Sequence, residues 1–197
     1  MLSLRFQLIL ASGSPRRKQL LEALGCNFKV QTKHTDEIIP SHIKATQAAA
    51  YLAEKKALAF QADIEAHQAV LAADTIVLAN EKILNKPADA QQAAVMLQML
   101  SGNVHQVVTG VCLMTKQHII THSDIAQVHF RPLTAQEIDY YITHYRPFDK
   151  AGAYGIQEWI GMIGITKIEG SFFTVMGLPT HLVYAMLQQL NDQLPAN

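Results

Sequence analysis

The chain has 197 residues, of which 49% are apolar and 16% charged, so it can bury a sizeable core and is not intrinsically disordered. Sixteen basic residues balance sixteen acidic ones, which excludes a strong long-range attraction to nucleic acid or to an anionic membrane. No apolar run is long enough to cross a bilayer, and Phe6 to Ala11 is too short for a signal peptide, so we expect a soluble, cytoplasmic protein. Cys26 and Cys112 lack the spacing of a disulfide framework or zinc site and are predicted to be buried thiols.

The N-terminal half alternates predicted strands and helices. The apolar run Phe6 to Ala11 predicts a buried strand, and Ser14 followed by Pro15 predicts a helix to Leu24 that ends at Gly25. The elements predicted next are a strand at Phe28 to Gln31, an alanine-rich helix with a capping residue at Thr46 to Ala62, a strand at Val70 to Leu78, a turn at Asn80 and Glu81, and a helix at Ala88 to Leu100.

The C-terminal half begins with β-rich sequence from His105 to Arg131, which predicts two long antiparallel strands that turn near Lys116 and Gln117. The elements predicted after it are a helix at Thr134 to His144 with a Thr134–Glu137 capping box, a strand at Ile160 to Ile168 with a turn at Glu169 and Gly170, and a closing helix at Leu178 to Leu190. The pattern predicts a single domain over residues 1–197, with a mixed α/β fold and a long twisted sheet flanked by helices.

The segment Ser12 to Lys18 has the composition of a phosphate-binding turn. It leaves a predicted strand and enters a helix, where backbone N–H groups and serine hydroxyls can donate to an anion. Arg16, Arg17 and Lys18 place three cations where the helix dipole disfavours them, and a bound anion would reverse that cost. A solvated basic turn with a serine cap explains the same residues.

Two carboxylates are candidates for metal binding or for activating water. Asp74 follows the apolar residues Val70 to Ala73, and a buried carboxylate is costly unless it is paired or binds a metal. Glu37 is a possible second carboxylate on a predicted loop. A hydrogen-bonded turn for Asp74 and a solvated position for Glu37 remain open alternatives.

Two lysines could reach an anion. Lys56 falls inside the apolar stripe of its predicted helix, and Lys86 precedes Pro87 just before another helix. A lysine that extends along its helix to solvent would produce the same pattern.

The loop Asp149 to Gln157 has glycines at 152 and 155 and ends in an amide that can donate to and accept from a nucleobase. An ordinary turn is also compatible with it. A metal site built from His118, His122 and His129 is rejected, because their predicted strand separates them too widely to share one ion.

The ordered segments ASGSPRRKQLLEALG, TDE, AEKKA, AADTIV, KPADAQQAAVMLQMLSG, DKAGAYGIQ and GSFFTVMGLP closely resemble the Maf family of nucleoside triphosphate pyrophosphatases. The resemblance covers nearly the whole chain. It implies a fold related to the inosine triphosphate pyrophosphatases, with two lobes around a cleft. It also implies a divalent cation, Mg²⁺ or Mn²⁺, a homodimer, and hydrolysis of a triphosphate to the monophosphate and pyrophosphate.

The family motifs imply roles for individual residues. Asp74 would accept the proton of the attacking water, and Glu37 and Asp74 would bind the metal. Substrate phosphates would be bound by Ser12, Arg17, Lys56 and Lys86; Lys56 is assigned in preference to Lys55 because it directly precedes Ala57. Together with Arg16 and one divalent cation, the three basic residues carry about six positive charges. A triphosphate and the two carboxylates carry about six negative charges, so the site would be neutral.

Three positions imply the branch of the family. Arg16, Thr75 and Gln157 resemble the branch that hydrolyses dTTP and UTP, whereas the branch for 7-methyl-GTP has Trp, Gln and Glu at these places. The alternatives left open are a 7-methyl-GTP-type enzyme and a nucleotide-binding regulator of septum formation that does not depend on hydrolysis. Neither nucleic acid nor a membrane is expected as a partner.

Overall fold

The computed structural model describes residues 3–193, so the predicted domain span of 1–197 extends slightly beyond it at both ends. The described strands are β1 (Gln7–Leu10), β2 (Phe28–Val30), β3 (Gln68–Ala79), β4 (Lys82–Leu84), β5 (Val104–Met114), β6 (Ile119–Phe130) and β7 (Ile165–Glu169). The described α-helices are α1 (Pro15–Ala23), α2 (Ala45–Leu58), α3 (Ala90–Leu100), α4 (Ala135–Tyr145), α5 (Trp159–Gly164), α6 (Phe172–Met176) and α7 (Thr180–Gln193). A 3₁₀ helix spans Ala151–Ala153.

The strands form one seven-stranded sheet in the order β2-β1-β3-β5-β6-β7, with β4 paired to β3. β1 pairs in parallel with both β2 and β3, whereas β3 with β4 and β6 with β7 pair antiparallel. This arrangement confirms the predicted mixed α/β class. No helix within residues 3–193 combines the length and apolar character that crossing a membrane requires.

The chain divides into two compact units. Unit 1 consists of the described parts of Met1–Asp74 and Gly177–Asn197 together with Thr109–Asp124. Unit 2 consists of Thr75–Val108 and Ile125–Met176. The predicted single domain and the predicted cleft stay predictions.

Small residues let α2 lie directly on the sheet of unit 1. Ala49, Ala53 and Ala57 are fully buried on one face of α2, and a Cβ at Gly110 of β5 would overlap the backbone of Ala49. Cys112 belongs to the same core, and both cysteines are buried as predicted. Because α2 packs so closely against the sheet, the backbone position of Lys56 near the end of this helix is fixed.

Unit 2 has its own core, to which Leu97, Val107, Phe130, Tyr141 and Ile160 contribute. Its second helix, α4, begins with the predicted capping box: the Thr134 hydroxyl accepts from the Glu137 N–H, and the Glu137 carboxylate accepts from the Thr134 N–H. The tight turn after β3 is also confirmed, since Asn80 and Glu81 both have positive φ, as a two-residue hairpin requires.

The predicted strand from Ile160 to Ile168 is half wrong, because residues 159–164 form α5 and only residues 165–169 form β7. A Cβ at Gly161 would overlap the Ile156 carbonyl oxygen, and one at Gly164 would lie 2.9 Å from the Phe130 ring. Close packing through these two glycines therefore overrides their low helix propensity. The short helix α6 and the strand β4 were not predicted.

The helix predicted at Thr46 to Ala62 begins and ends earlier than expected. It spans Ala45–Leu58, and the residue before it, Lys44, makes no side-chain capping bond. Beyond Leu58 the chain continues in turns, with Phe60 and Gln61 donating to the carbonyls of Ala57 and Leu58. The predicted capping residue is thus not present, and the helix depends on its buried alanine face.

Candidate functional site in unit 1

The turn between β1 and α1 is organised by Ser12, as the sequence suggested for a phosphate-binding turn. The Ser12 hydroxyl is buried and accepts hydrogen bonds from the Ser14 N–H and from Arg17 Nη1, both at 3.2 Å. Ser14 has an extended backbone at the helix start, with Pro15 as the first helical residue. The first turn of α1 contains no acidic residue, so Arg16 and Arg17 meet the positive end of the helix dipole.

Arg17 is partly buried in unit 1. Its Nε donates to the Gly177 carbonyl at 2.8 Å in addition to the bond to Ser12. The pKa of Arg17 is lowered overall, mainly by burial. The carboxylates of Asp74 and Glu37 oppose this effect, and the positive charge of Arg16 adds to it. Arg17 therefore lies within electrostatic reach of both predicted carboxylates and of Arg16.

Lys56 joins the two carboxylates. Its Nζ donates to Glu37 Oε1 at 2.9 Å and also to Asp74 Oδ1, and only 19% of its side chain is exposed. Asp74 lies in β3 with 8% exposure, whereas Glu37 lies on the loop before α2 and is half exposed. The apolar stripe of α2 therefore directs Lys56 to a charged cluster and not along the helix to solvent.

The neighbouring pair Lys55 and Asp36 repeats this arrangement one residue earlier. Lys55 donates to Asp36 Oδ1, and this bond is the main reason that the pKa of Asp36 is lowered. Sequence reasoning singled out Lys56 but not Asp36. The two consecutive lysines thus bind two consecutive acids, and only Lys56 also bonds to Asp74.

The carboxylates of Glu37 and Asp74 suit a divalent cation that takes its other ligands from substrate phosphate. Glu37 and Asp74 accept from the same ammonium group, so their bonded oxygens are at most two hydrogen-bond lengths apart. Within residues 3–193 no group of three or more His, Cys, Asp or Glu side chains could hold a metal by itself. Mg²⁺ commonly binds one or two carboxylates and completes its shell with waters and substrate phosphates, which matches this donor set.

The other predicted site residues belong to unit 2. Thr75 directly follows Asp74 in β3 and is partly buried, and Lys86 is exposed just beyond β4. Gln157 is exposed, between the 3₁₀ helix and α5. The structure therefore brings together Ser12, Arg16, Arg17, Glu37, Lys56 and Asp74 within unit 1. Thr75, Lys86 and Gln157 lie outside that group.

Sequence reasoning missed a second polar cluster, in unit 2, built by Lys150, Glu158 and Tyr141. One signal was available: Lys150 and Glu158 are opposite charges that enclose an otherwise uncharged, glycine-punctuated loop. Tyr141 gave no signal, because it falls on the apolar face of α4 beside Ile138 and Ile142 and is indistinguishable there from a core aromatic.

Comparison with known proteins gives consistent results. The family profile described as Maf-like protein matches residues 7–190. A dTTP/UTP pyrophosphatase of Cytophaga hutchinsonii is 47% identical over 191 residues, which cover 96% of this chain and 87% of that protein. A dTTP/UTP pyrophosphatase of Christiangramia forsetii is 45% identical, with 93% and 94% covered, and one of Bacteroides fragilis is 44% identical, with 94% and 97% covered.

Among solved structures, a nucleoside-triphosphatase (dITP/XTP pyrophosphatase) of Mycobacterium abscessus aligns with 96% of this chain and 98% of its own. The identity is 14% and the TM-score 0.46, and a similarity at this level carries no conclusion about the present chain.

Proposed function

This chain belongs to the Maf family, and from that membership we propose that it is a nucleoside triphosphate pyrophosphatase that acts on dTTP and UTP. The observation that carries the proposal is the convergence of Asp74 and Glu37 on one lysine, within electrostatic reach of Arg17. Relatives 43% to 47% identical over most of the chain are named dTTP/UTP pyrophosphatases, which favours these substrates over 7-methyl-GTP.

The charge of the unit 1 cluster suits a polyanion. Arg16, Arg17 and Lys56 carry three positive charges, and Glu37 and Asp74 carry two negative ones. A bound divalent cation would raise the total to plus three against a triphosphate of about minus four. The Ser12 hydroxyl and the start of α1 add donors for phosphate oxygens.

Glu37 and Asp74 would hold Mg²⁺ or Mn²⁺, which when bound neutralises phosphate charge and makes a coordinated water more acidic. Asp74 would accept a proton from the water that attacks phosphorus, while Arg17 and Lys56 bind the phosphates. The bond broken joins the α and β phosphates, so the products are the nucleoside monophosphate and pyrophosphate. No covalent intermediate with the protein is needed.

The roles of Lys86 with phosphate, of Thr75 and Gln157 with the base, and of Arg16 in specificity rest on the family resemblance. The homodimer and the cytoplasmic location have the same basis. Sedimentation of the purified protein over a range of concentrations tests the homodimer.

The proposal is tested by incubating the protein with each common nucleoside triphosphate and 7-methyl-GTP, in Mg²⁺, in Mn²⁺ and in chelator, and separating the products. We expect monophosphate and pyrophosphate in equal amounts, fastest from dTTP and UTP, and no reaction in chelator. Diphosphate with inorganic phosphate would contradict the bond assignment. Unchanged nucleotide that is nevertheless bound would favour the regulator, and fastest cleavage of 7-methyl-GTP would favour the other branch.

A further inference from the structure

The loop that carries Gln157 is closed by a buried ion pair. Lys150 lies at its start and Glu158 at its end, and Lys150 Nζ is 3.1 Å from Glu158 Oε1. The side chains are 9% and 19% exposed, and Lys150 also donates to Asp149 Oδ1 at 2.6 Å. Removing one partner of an ion pair that is shielded from water in this way would leave the other charge uncompensated.

Tyr141 connects this ion pair to the backbone of the loop. Its hydroxyl donates to Glu158 Oε2 and accepts the Gly155 N–H at 3.0 Å. Glu158 therefore has one carboxylate oxygen bonded to Lys150 and the other to Tyr141. The approach is close enough that a Cβ at Gly155 would lie 2.7 Å from Glu158 Cδ, so a larger residue there would displace the Glu158 carboxylate.

The network leaves one exposed side chain between its anchors. Residues 152–156 are all buried, and Gly155 and Glu158 are further tied by the bond from the Glu158 N–H to the Gly155 carbonyl at 3.0 Å. Only Ile156, which is buried, and Gln157, which is exposed, lie between these two fixed residues. The position of the Gln157 backbone is thus set on both sides by bonds that Tyr141 and Glu158 make.

We propose that Tyr141, Glu158 and Lys150 are positioning residues for substrate specificity, which hold the backbone at Gln157 so that its amide can contact a pyrimidine base. The inference rests on the proposed function and deepens it, since it adds residues that act through Gln157 without touching the nucleotide. The substrate class it concerns is pyrimidine nucleoside triphosphates.

The direct test is Tyr141→Phe, which removes one oxygen and keeps the ring in the core. We expect kcat/KM for dTTP to fall roughly tenfold relative to the purine nucleotides dGTP and dATP, the size of one lost hydrogen bond, through a higher KM with kcat within about twofold. Tyr140→Phe is the matched control, since Tyr140 is the neighbouring, exposed tyrosine of α4 and should leave the ranking unchanged.

A double-mutant cycle separates positioning from a structural role. In a Gln157→Ala background, Tyr141→Phe should not change the ranking of substrates any further, because the side chain it positions is gone. An equal change in both backgrounds would overturn the inference. A parallel loss of kcat and Tm with an unaltered ranking would also overturn it.

The failure of the proposed function gives a different result. If the wild-type protein cleaves no triphosphate, the proposed function is wrong, and hydrogen exchange without nucleotide then decides the positioning claim. The positioning claim is supported if Tyr141→Phe speeds exchange at other amides of residues 152–158 in addition to the Gly155 amide. Acceleration of the Gly155 amide alone, or of none, refutes it.

Discussion

The two polar clusters of this chain differ in what their charges are bonded to. In unit 1, Lys56 is shared by Glu37 and Asp74, and the exposed half of the Glu37 side chain leaves the cluster open to water. In unit 2, Glu158 is enclosed by Lys150 and Tyr141, and the adjoining His105 and Tyr154 form a buried hydrogen bond at 2.8 Å. The carboxylates of the first cluster are joined through the ammonium group of Lys56, whereas Glu158 in the second is also bonded to a tyrosine hydroxyl that accepts a backbone N–H.

This difference separates chemistry from positioning. A site that binds a polyanion and a cation must release its internal ion pairs at little cost, which partial exposure to water allows. A network that sets the orientation of a loop must resist such exchange, and burial supplies that resistance. Removing a charge from the unit 2 cluster should therefore affect stability first, and removing one from the unit 1 cluster should affect turnover first.

The largest effect is expected from Lys150→Met, which leaves Glu158 without its buried cation. We expect the free energy of unfolding to fall by about 3–5 kcal/mol, as measured by urea denaturation, because an uncompensated buried charge remains. Lys167→Met is the matched control, since Lys167 pairs with Glu169 at 2.7 Å on the surface and is 62% exposed. Equal stability of the two variants would remove the distinction between the clusters.

Asp74→Asn tests the other side of the comparison. Turnover of dTTP should fall by roughly 10²-fold or more, about 2.7 kcal/mol in activation free energy, because the proton acceptor is lost. Tm should change little. Asp63→Asn, which alters an exposed carboxylate paired with Lys33, should keep full activity. Near-normal turnover by Asp74→Asn would show that another group takes the proton.

His105 should make the free energy of unfolding depend on pH, by about 2 kcal/mol. Burial, and secondarily the charge of His129, lowers the pKa of His105 from 6.5 to about 4, so the folded protein keeps this ring neutral. Below pH 6.5 the unfolded chain binds the proton and the folded chain does not, so stability is lost as pH falls from 6.5 towards 4. Between pH 7 and pH 5 this amounts to about 2 kcal/mol.

His105→Gln should remove this part of the pH dependence, as urea midpoints at pH 7 and pH 5 would show. The carboxylates contribute equally in both proteins and cancel in the comparison. If the variant and the wild type lost the same stability on acidification, burial would not keep the His105 ring neutral.

The smallest effect is expected from Gln157→Glu. It exchanges an amide, which can both donate and accept, for an acceptor-only carboxylate on an exposed side chain. We expect the preference for dTTP over other triphosphates to fall about tenfold, or 1.4 kcal/mol, with unfolding unaffected. A substrate panel measures this, and an unaltered ranking would show that Gln157 does not contact the base.

The sequence predicted the α/β class, most elements and the family because these depend on local signals. Ser14 with Pro15, the box of Thr134 and Glu137, and the turn at Asn80 each act within a few residues. It failed at α5, where Gly161 and Gly164 are helical despite their low helix propensity and lie so close to Ile156 and Phe130 that an added Cβ would clash.

For the site, the sequence by itself determined which residues carry charge, and the family motifs indicated Asp74, Glu37 and Lys56. Only the tertiary structure decided that these three side chains meet, since they lie on a strand, a loop and a helix that pack together through the alanine face of α2. Only the tertiary structure brought Tyr141 to Glu158, because a hydrogen bond between separate segments depends on how they pack, which the order of residues does not encode locally.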